Sequence, residues 1–329
     1  MKNKSYRRLL LFALMIALVS ISCGYATEIQ APESFPDTEI IFTASYGIGF
    51  VNADGTDTEI IDFAVKLDGV RVPSQLVTIA KPAITRDNLK IVAMINNNHG
   101  YWYMDGPDLL IVWQVNEQPI PCSQWGSQNK PLLAVEENHI FIETDNGMAL
   151  YNIDDCGTDA QPIKTYKNEI GVFSPNLQFI ASVITDTLDL QKKTIVIKER
   201  ESKREIAMFE GDFPAWSLNS KYLAYTGKDG IYVLDVTSKT QPIQVSGYIN
   251  PAGAIHPTYQ LINDTPPPEP AWSPDGKWLV YHRLIREVKG MSLPDYYAIY
   301  KLNIETGEEI KIVDGGMYPY WKWPAVSTP

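Results

Sequence analysis

The residues of this 329-residue chain best suited to chemistry are four histidines, three cysteines and 39 acids. His99, His139, His256 and His282 fall in four separate segments without ligand spacing, so a metal site would need spatial convergence alone. No metal site and no cofactor is expected. The chain lacks a Gly-x-Ser-x-Gly elbow, a His-Glu-x-x-His pair, a glycine-rich phosphate loop and a dinucleotide fingerprint, which argues against common hydrolase and nucleotide chemistry. Asn52-Ala-Asp-Gly-Thr-Asp57 and Asp154-Asp-Cys-Gly157 look superficially like calcium loops, but both sit where a hairpin needs Asp and Gly, and the first lacks a distal Glu. A carboxylate pair for glycoside cleavage is defined by distance in space, so 39 acids neither supply nor deny one.

The elements that would position such groups are set by a repeat. Pro270-Ala-Trp-Ser-Pro-Asp-Gly-Lys-Trp-Leu-Val-Tyr281 aligns without gaps to Pro214-Ala-Trp-Ser-Leu-Asn-Ser-Lys-Tyr-Leu-Ala-Tyr225 and to Gly171-Val-Phe-Ser-Pro-Asn-Leu-Gln-Phe-Ile-Ala-Ser182. Weaker copies start at Pro82 and Pro131, and a truncated one at Pro319-Tyr-Trp321. The six starts are spaced by 49, 40, 43, 56 and 49 residues, the period of a four-stranded propeller blade. In each unit a short strand a leads through a turn to strands b, c and d. Ser273-Pro-Asp-Gly276 suits a type I turn between a and b. Trp216, Trp272, Trp321 and Phe173 share one position of strand a, where a large ring can fill the wedge between neighbouring blades.

The chain opens with strands b, c and d near 39–45, 47–53 and 58–63 but has no strand a before them. Pro319–Trp323 supplies the missing strand, which predicts an all-β, six-bladed propeller of four-stranded antiparallel blades, closed by the C-terminal strand joining the N-terminal blade. These motifs resemble the WD-type repeats of the TolB-like propeller family, whose hallmark is a strand ending in Trp-Ser-Pro-Asp-Gly. Trp272–Gly276 matches in full, Trp216-Ser217 and Phe173-Ser-Pro175 match in part, and blades two and three have drifted to Ile84-Thr85 and Leu133-Ala134. The resemblance spans 38–326 and implies a propeller alone, without the small α/β domain of TolB or the hydrolase domain of dipeptidyl peptidases. It transfers fold more safely than function.

Alternation of strand direction sends b-to-c and d-to-a connections to one face and a-to-b and c-to-d turns to the other. The long connections 95–108, 284–295 and 248–269 all belong to the first face. It gathers Tyr101, Trp102, Tyr103, Tyr248 and Tyr259, with Tyr296 and Tyr297 at its edge; such rings either pin their own loops or stack on a sugar or peptide. Lys81, Lys130, Glu169, Asp212, Glu269 and Tyr318 precede the strands a and would ring the channel mouth on that face with mixed charge, either merely solvated or orienting a ligand. Pro266–Pro268 stiffens the third connection as a spacer or a polyproline II element.

Address comes from the N-terminus. Lys2, Lys4, Arg7 and Arg8 precede the apolar run Leu9–Val19, which is too short for a permanent membrane span and reads as a secretory signal over 1–22. Ser20-Ile-Ser-Cys-Gly24 resembles a bacterial lipobox that would make Cys23 the lipidated first residue, held on the extracytoplasmic side of the cell membrane by residues 23–37 as a tether. Ser20 departs from the usual aliphatic residue, and Gly24-Tyr-Ala26 offers a competing site for ordinary cleavage. Removing 1–22 deletes four cations and no acid, taking the net charge from −11 to −15, which disfavours nucleic acid and anionic lipid. Cys122 and Cys156 then remain, to pair in an oxidising exterior if the fold joins them or to stay as buried thiols.

Together these readings predict a non-enzymatic binding or scaffold module for a protein or glycan of the cell envelope. The rival is an extracytoplasmic polysaccharide lyase or hydrolase using acids at the channel mouth, with His99 or His282 as helper. A third reading is an assembly subunit of an envelope complex.

Overall fold

The computed structural model describes residues 32–45, 47–62, 64–67, 70–73, 78–85, 87–96, 109–117, 119–122, 132–136, 138–157, 161–189, 192–238, 241–247, 268–285 and 297–323. They form six four-stranded antiparallel sheets. From innermost strand a to outermost strand d, blade 1 is Gly316–Trp321, Ile40–Ala44, Gly47–Val51 and Glu59–Ile61. Blade 2 is Thr78–Ile84, Lys90–Asn96, Leu109–Gln114 and Ile120–Pro121, and blade 3 is Leu132–Glu136, His139–Thr144, Gly147–Asn152 and Lys164–Lys167. Blade 4 is Val172–Phe173, Phe179–Thr185, Lys193–Glu199 and Glu205–Glu210. Blade 5 is Asp212–Trp216, Tyr222–Thr226, Gly230–Asp235 and Ile243–Gly247, and blade 6 is Ala271–Trp272, Trp278–Leu284, Tyr297–Asn303 and Glu309–Asp314. Each strand a lies beside the next around the ring.

Closure follows the expected route. The C-terminal strand pairs with the first, Ile40 opposite Trp321 and Ala44 opposite Gly316, so the ring leaves blade 1 without a missing inner strand. The paired strand starts at Gly316, three residues before the first proline of the truncated repeat.

The Ser-Pro-Asp-Gly signature has a physical role that recurs in four blades. In each a-to-b turn a buried hydroxyl accepts the backbone N–H five residues on: Ser273 from Trp278 (2.9 Å), Ser217 from Tyr222 (2.9 Å), Ser174 from Phe179 (2.9 Å) and Thr85 from Lys90 (3.0 Å). The same hydroxyl donates to the Asp or Asn two residues on, Asp275, Asn219, Asn176 or Asp87. The fourth turn position is left-handed in all four, at Gly276, Ser220, Leu177 and Asn88. Only blade 6 places there the glycine that adopts this backbone without steric cost.

The strand-a rings fill the seams. Trp216, Trp272, Trp321 and Phe173 are all buried, each against side chains of the preceding blade. Two seams add a directional bond: Trp216 Nε1 donates to Val172 O (3.0 Å) and Trp272 Nε1 to Ala215 O (2.9 Å), equivalent carbonyls one blade back. Phe179 and Tyr222 stack on those two indoles at 5.9 Å. Phe173 has no ring N–H, so its seam rests on packing with Phe141 and Tyr166.

Three features go beyond the repeat. A separate hairpin, Ala64–Leu67 with Val70–Pro73, lies in the connection from blade 1 to blade 2. Cys122, after strand d of blade 2, is disulfide-bonded to Cys156 in the c-to-d connection of blade 3, with Cα atoms 4.9 Å apart. The packed unit begins at Pro32, within the stretch read as tether. Phe35 is 3% exposed, against Phe50 and edge-on to Trp113, while Pro32 O accepts from Asn116 N (2.8 Å) and Pro36 O from Lys322 Nζ (3.0 Å). Burial holds the Lys322 ammonium below the usual lysine range.

Candidate functional site

The channel between the strands a has two unlike ends. At the end where strands a begin, three blades insert one extra residue. Ala80 and Ala83 oppose Met94 and Val92, Asp212 and Ala215 oppose Thr226 and Ala224, and Met317 and Tyr320 oppose Thr43 and Ile41. Each bulge holds a proline, which cannot donate to the ladder, and a left-handed residue just before it: Lys81 (φ 52°), Phe213 (φ 51°) and Tyr318 (φ 47°). Such backbone costs about 1–3 kcal/mol per non-glycine residue, and it collects where recognition or catalysis demands a particular side-chain direction.

Here the direction is convergence. Lys81 Nζ lies 2.9 Å from Glu269 Oε2 of the blade 6 approach, 5.3 Å from the Phe213 ring centroid and 6.0 Å from that of Tyr318. Blades 2 and 5 are opposite in a ring of six, so Lys81 reaches across the mouth to an aromatic clamp. Lys193 Nζ also stands near Phe213, 5.5 Å from its centroid, and pairs with Asp212. Burial raises the Tyr318 phenol above its usual range, with the Glu269 charge adding to the effect. Behind it His282, fully buried, accepts from Tyr318 N at Nδ1 (3.3 Å) and is edge-on to Tyr318 and Tyr297.

Of the sequence-derived mouth residues, Lys81, Glu269 and Tyr318 therefore meet. Asp212 stands beside the cluster, paired with Lys193, whose ammonium packs on the Phe213 ring. Glu169 is taken instead by Arg200 (2.8 Å) and Lys203 (2.6 Å), from the c-to-d turn of blade 4. Burial opposes its ionisation, but those hydrogen bonds win and hold the carboxyl below the usual range. Tyr297 is 2% exposed, and its ring packs on His282 rather than facing a partner. Cys23, Tyr101, Trp102, Tyr103, Lys130, Tyr248, Tyr259 and Tyr296, with His99 and His256, lie outside the described residues. Phe213 was missed because the aligned repeat starts at the following proline and nothing in Phe-Pro marks a left-handed residue.

Below the clamp, a cavity of about 250 Å³ runs along strands a to the a-to-b turns. Its wall is built from Phe173, Trp216, Trp272 and Trp321 with the prolines of the repeats, and it ends at Pro175, Leu177, Leu218, Pro274 and Trp323. Glu269 is the single carboxylate among its described lining residues. No group of three or more potential metal-ligating side chains occurs among the described residues.

No family model matches the chain, and no curated protein matches it. Among solved structures it is similar to TolB from Acinetobacter baumannii, at TM-score 0.54 and 9% identity over 88% of this chain and 68% of that one. It is also similar to a putative TolB from Agrobacterium tumefaciens (TM-score 0.47, 11% identity, 88% and 95% covered). An oligogalacturonate lyase in complex with manganese follows (TM-score 0.46, 12% identity, 80% and 72% covered). The first of these likenesses, with the six-blade topology, shows a TolB-like β-propeller fold; at such identities fold is all that follows.

Proposed function

We propose that this TolB-like propeller is an exported, lipid-anchored binding module that presents its b-to-c and d-to-a face to a protein or glycan partner of the cell envelope. The observation that carries the reading is where the chain joins the fold. Pro32–Asp37 docks on Asn88 and Asn116, at turns of the opposite face, and on Lys322, just past the end of strand a of blade 1. Eight residues separate Cys23 from Pro32, a span of roughly 16 Å as a flexible chain. Seven-residue strands such as Trp278–Leu284 raise the propeller wall by about 23 Å. An anchor at Cys23 thus keeps the turn face near the membrane and leaves the clamp of Lys81, Phe213, Glu269 and Tyr318 outward. Aromatic rings around a cation and a carboxylate suit a polar partner held by stacking and charge together.

The test is photocrosslinking in cells from position 81 and from position 221, a half-buried lysine of the turn face, with fractionation of the Cys23→Ser variant alongside. The expected result is a discrete partner from 81, none from 221, loss of that partner in a folded Phe213→Ala variant, and release of Cys23→Ser from membranes. Equal capture from both positions would end the face assignment, and a Cys23→Ser protein that stays on membranes would end the anchor. The hydrolytic form of the enzymatic alternative has less support, because glycoside cleavage with two carboxylates needs a second acid near Glu269, and the described cavity wall supplies none; a lyase needs no such pair. Turnover on a panel of polysaccharides would reverse that preference.

A further inference from the structure

The clamp already holds a cation, and that cation comes from the chain itself. Lys81 Nζ stands over the Phe213 ring at 5.3 Å and over the Tyr318 ring at 6.0 Å, with Glu269 Oε2 at 2.9 Å. Two ring faces and a carboxylate around one ammonium are the parts of a cation-recognition pocket. Phe213 draws a second ammonium, that of Lys193, which lies 5.5 Å from its centroid and pairs with Asp212.

The walls of this pocket are fixed by groups other than Lys81. Tyr318 donates its backbone N–H to His282 Nδ1 (3.3 Å), and its ring meets that of the buried His282 edge-on. Phe213 donates its backbone N–H to Asp212 Oδ1 (2.9 Å), and a proline follows each of the two, at 214 and 319. Lys81 is the movable part. Its side chain is 32% exposed and that of Glu269 20%, so neither is sealed from a ligand. Both, with Tyr318, line the cavity of about 250 Å³, which leaves room beside the pair for the stem of another ammonium. When Lys81 swings out, its side chain regains rotamer freedom and the rings stay where they were.

Charge decides what fits. An anion drawn to Lys81 would meet Glu269 and the electron-rich faces of two rings, all of which repel it. An incoming ammonium is opposed only by the charge of Lys81, which leaves as it enters.

We propose that the mouth receives an alkylammonium group, that of a lysine side chain on the partner, in place of Lys81, which guards the pocket as a built-in competitor. This rests on the reading of the clamp as a binding site and names the group it takes. The 2.9 Å contact with Glu269 is a hydrogen bond that only a cation bearing N–H can donate, so a primary ammonium is preferred to a quaternary one.

Full-length Cys23→Ser protein is titrated with Nα-acetyl-lysine methylamide, its norleucine and Nε-trimethyl counterparts, Nα-acetyl-glutamate methylamide and phosphoethanolamine, by ligand-observed NMR, which reads weak affinities. The lysine compound is expected to bind best, and at least about tenfold more tightly to Lys81→Gly, as for a pocket vacant about a tenth of the time while Lys81 is present. Glycine adopts the left-handed backbone of position 81 without steric cost, so this variant empties the pocket without straining blade 2. Adding Glu269→Gln to Lys81→Gly is expected to lose that binding by at least tenfold. Lys203→Gly removes another left-handed lysine (φ 57°), paired with Glu169 (2.6 Å), and keeps wild-type affinity. Unchanged or weaker lysine binding in Lys81→Gly, equal binding of the norleucine or trimethyl compound, or tighter binding of the glutamate compound or phosphoethanolamine would each overturn the proposal. If the lysine compound fails while crosslinking from position 81 still captures a discrete partner, the ammonium assignment falls and the partner face stands.

Discussion

The two ends of the innermost strands obey different rules. Where strand a leaves for strand b, four blades repeat one hydrogen-bond pattern with the same hydroxyl, the same acceptor two residues on and the same left-handed fourth position. Where strand a begins, the blades diverge. Lys81, Phe213 and Tyr318 share a bulge geometry but present a cation and two different rings, Glu269 lacks the left-handed backbone, and blade 4 arrives through Gly171 at φ 143°. A repeat that only has to close a turn tolerates little variation, because its buried polar groups must be satisfied each time. An end that has to meet something outside the repeat diverges, and its strained backbone is held by the rigid sheets around it.

That contrast can be broken by mutation. The largest effect is expected in the seam next to the turns, where Trp272→Ala removes a buried indole and strands Ala215 O; unfolding in urea is expected to show a loss of about 3–5 kcal/mol. Trp272→Phe keeps the ring and is expected to lose only about 1 kcal/mol, the scale of one hydrogen bond. Next comes the turn itself. Ser273→Ala leaves Trp278 N and Asp275 without their shared hydroxyl in a site 2% exposed, for an expected loss of about 1–3 kcal/mol. The smallest is expected at the mouth, where Lys81→Met breaks a pair whose members are 32% and 20% exposed and shifts stability by no more than about 1 kcal/mol. A loss there as large as in the turn would mean that the clamp serves the fold, and the contrast between the two ends would fail.

The repeat was legible because its parts are local. Trp-Ser-Pro-Asp-Gly announces a strand, a turn and a strand within twelve residues, and even Phe173-Ser-Pro-Asn and Ile84-Thr-Arg-Asp keep the hydroxyl and the side-chain oxygen that the turn requires. Closure was legible too, since a blade without strand a at one terminus and a strand a without a blade at the other leave few arrangements that hide both edges. The mouth was legible only in part. Lys81, Glu269 and Tyr318 were found by position, but nothing in the counting showed that Asp212 is tied to Lys193 or that Glu169 is tied to Arg200 and Lys203. Phe35, one ring in a polar stretch, gave no periodic signal that it fills a gap between blades 1 and 2.

By itself, then, the sequence determined the number of blades, their turns and their seams, because hydrogen bonds and ring packing within and between adjacent repeats act over a few residues. Only the tertiary structure decided which side chains share the channel mouth, which polar groups of its wall are already bonded, and on which face the chain enters. Those depend on blades far apart in sequence, and on single-residue bulges that reverse a side chain's direction without changing the residue types around it.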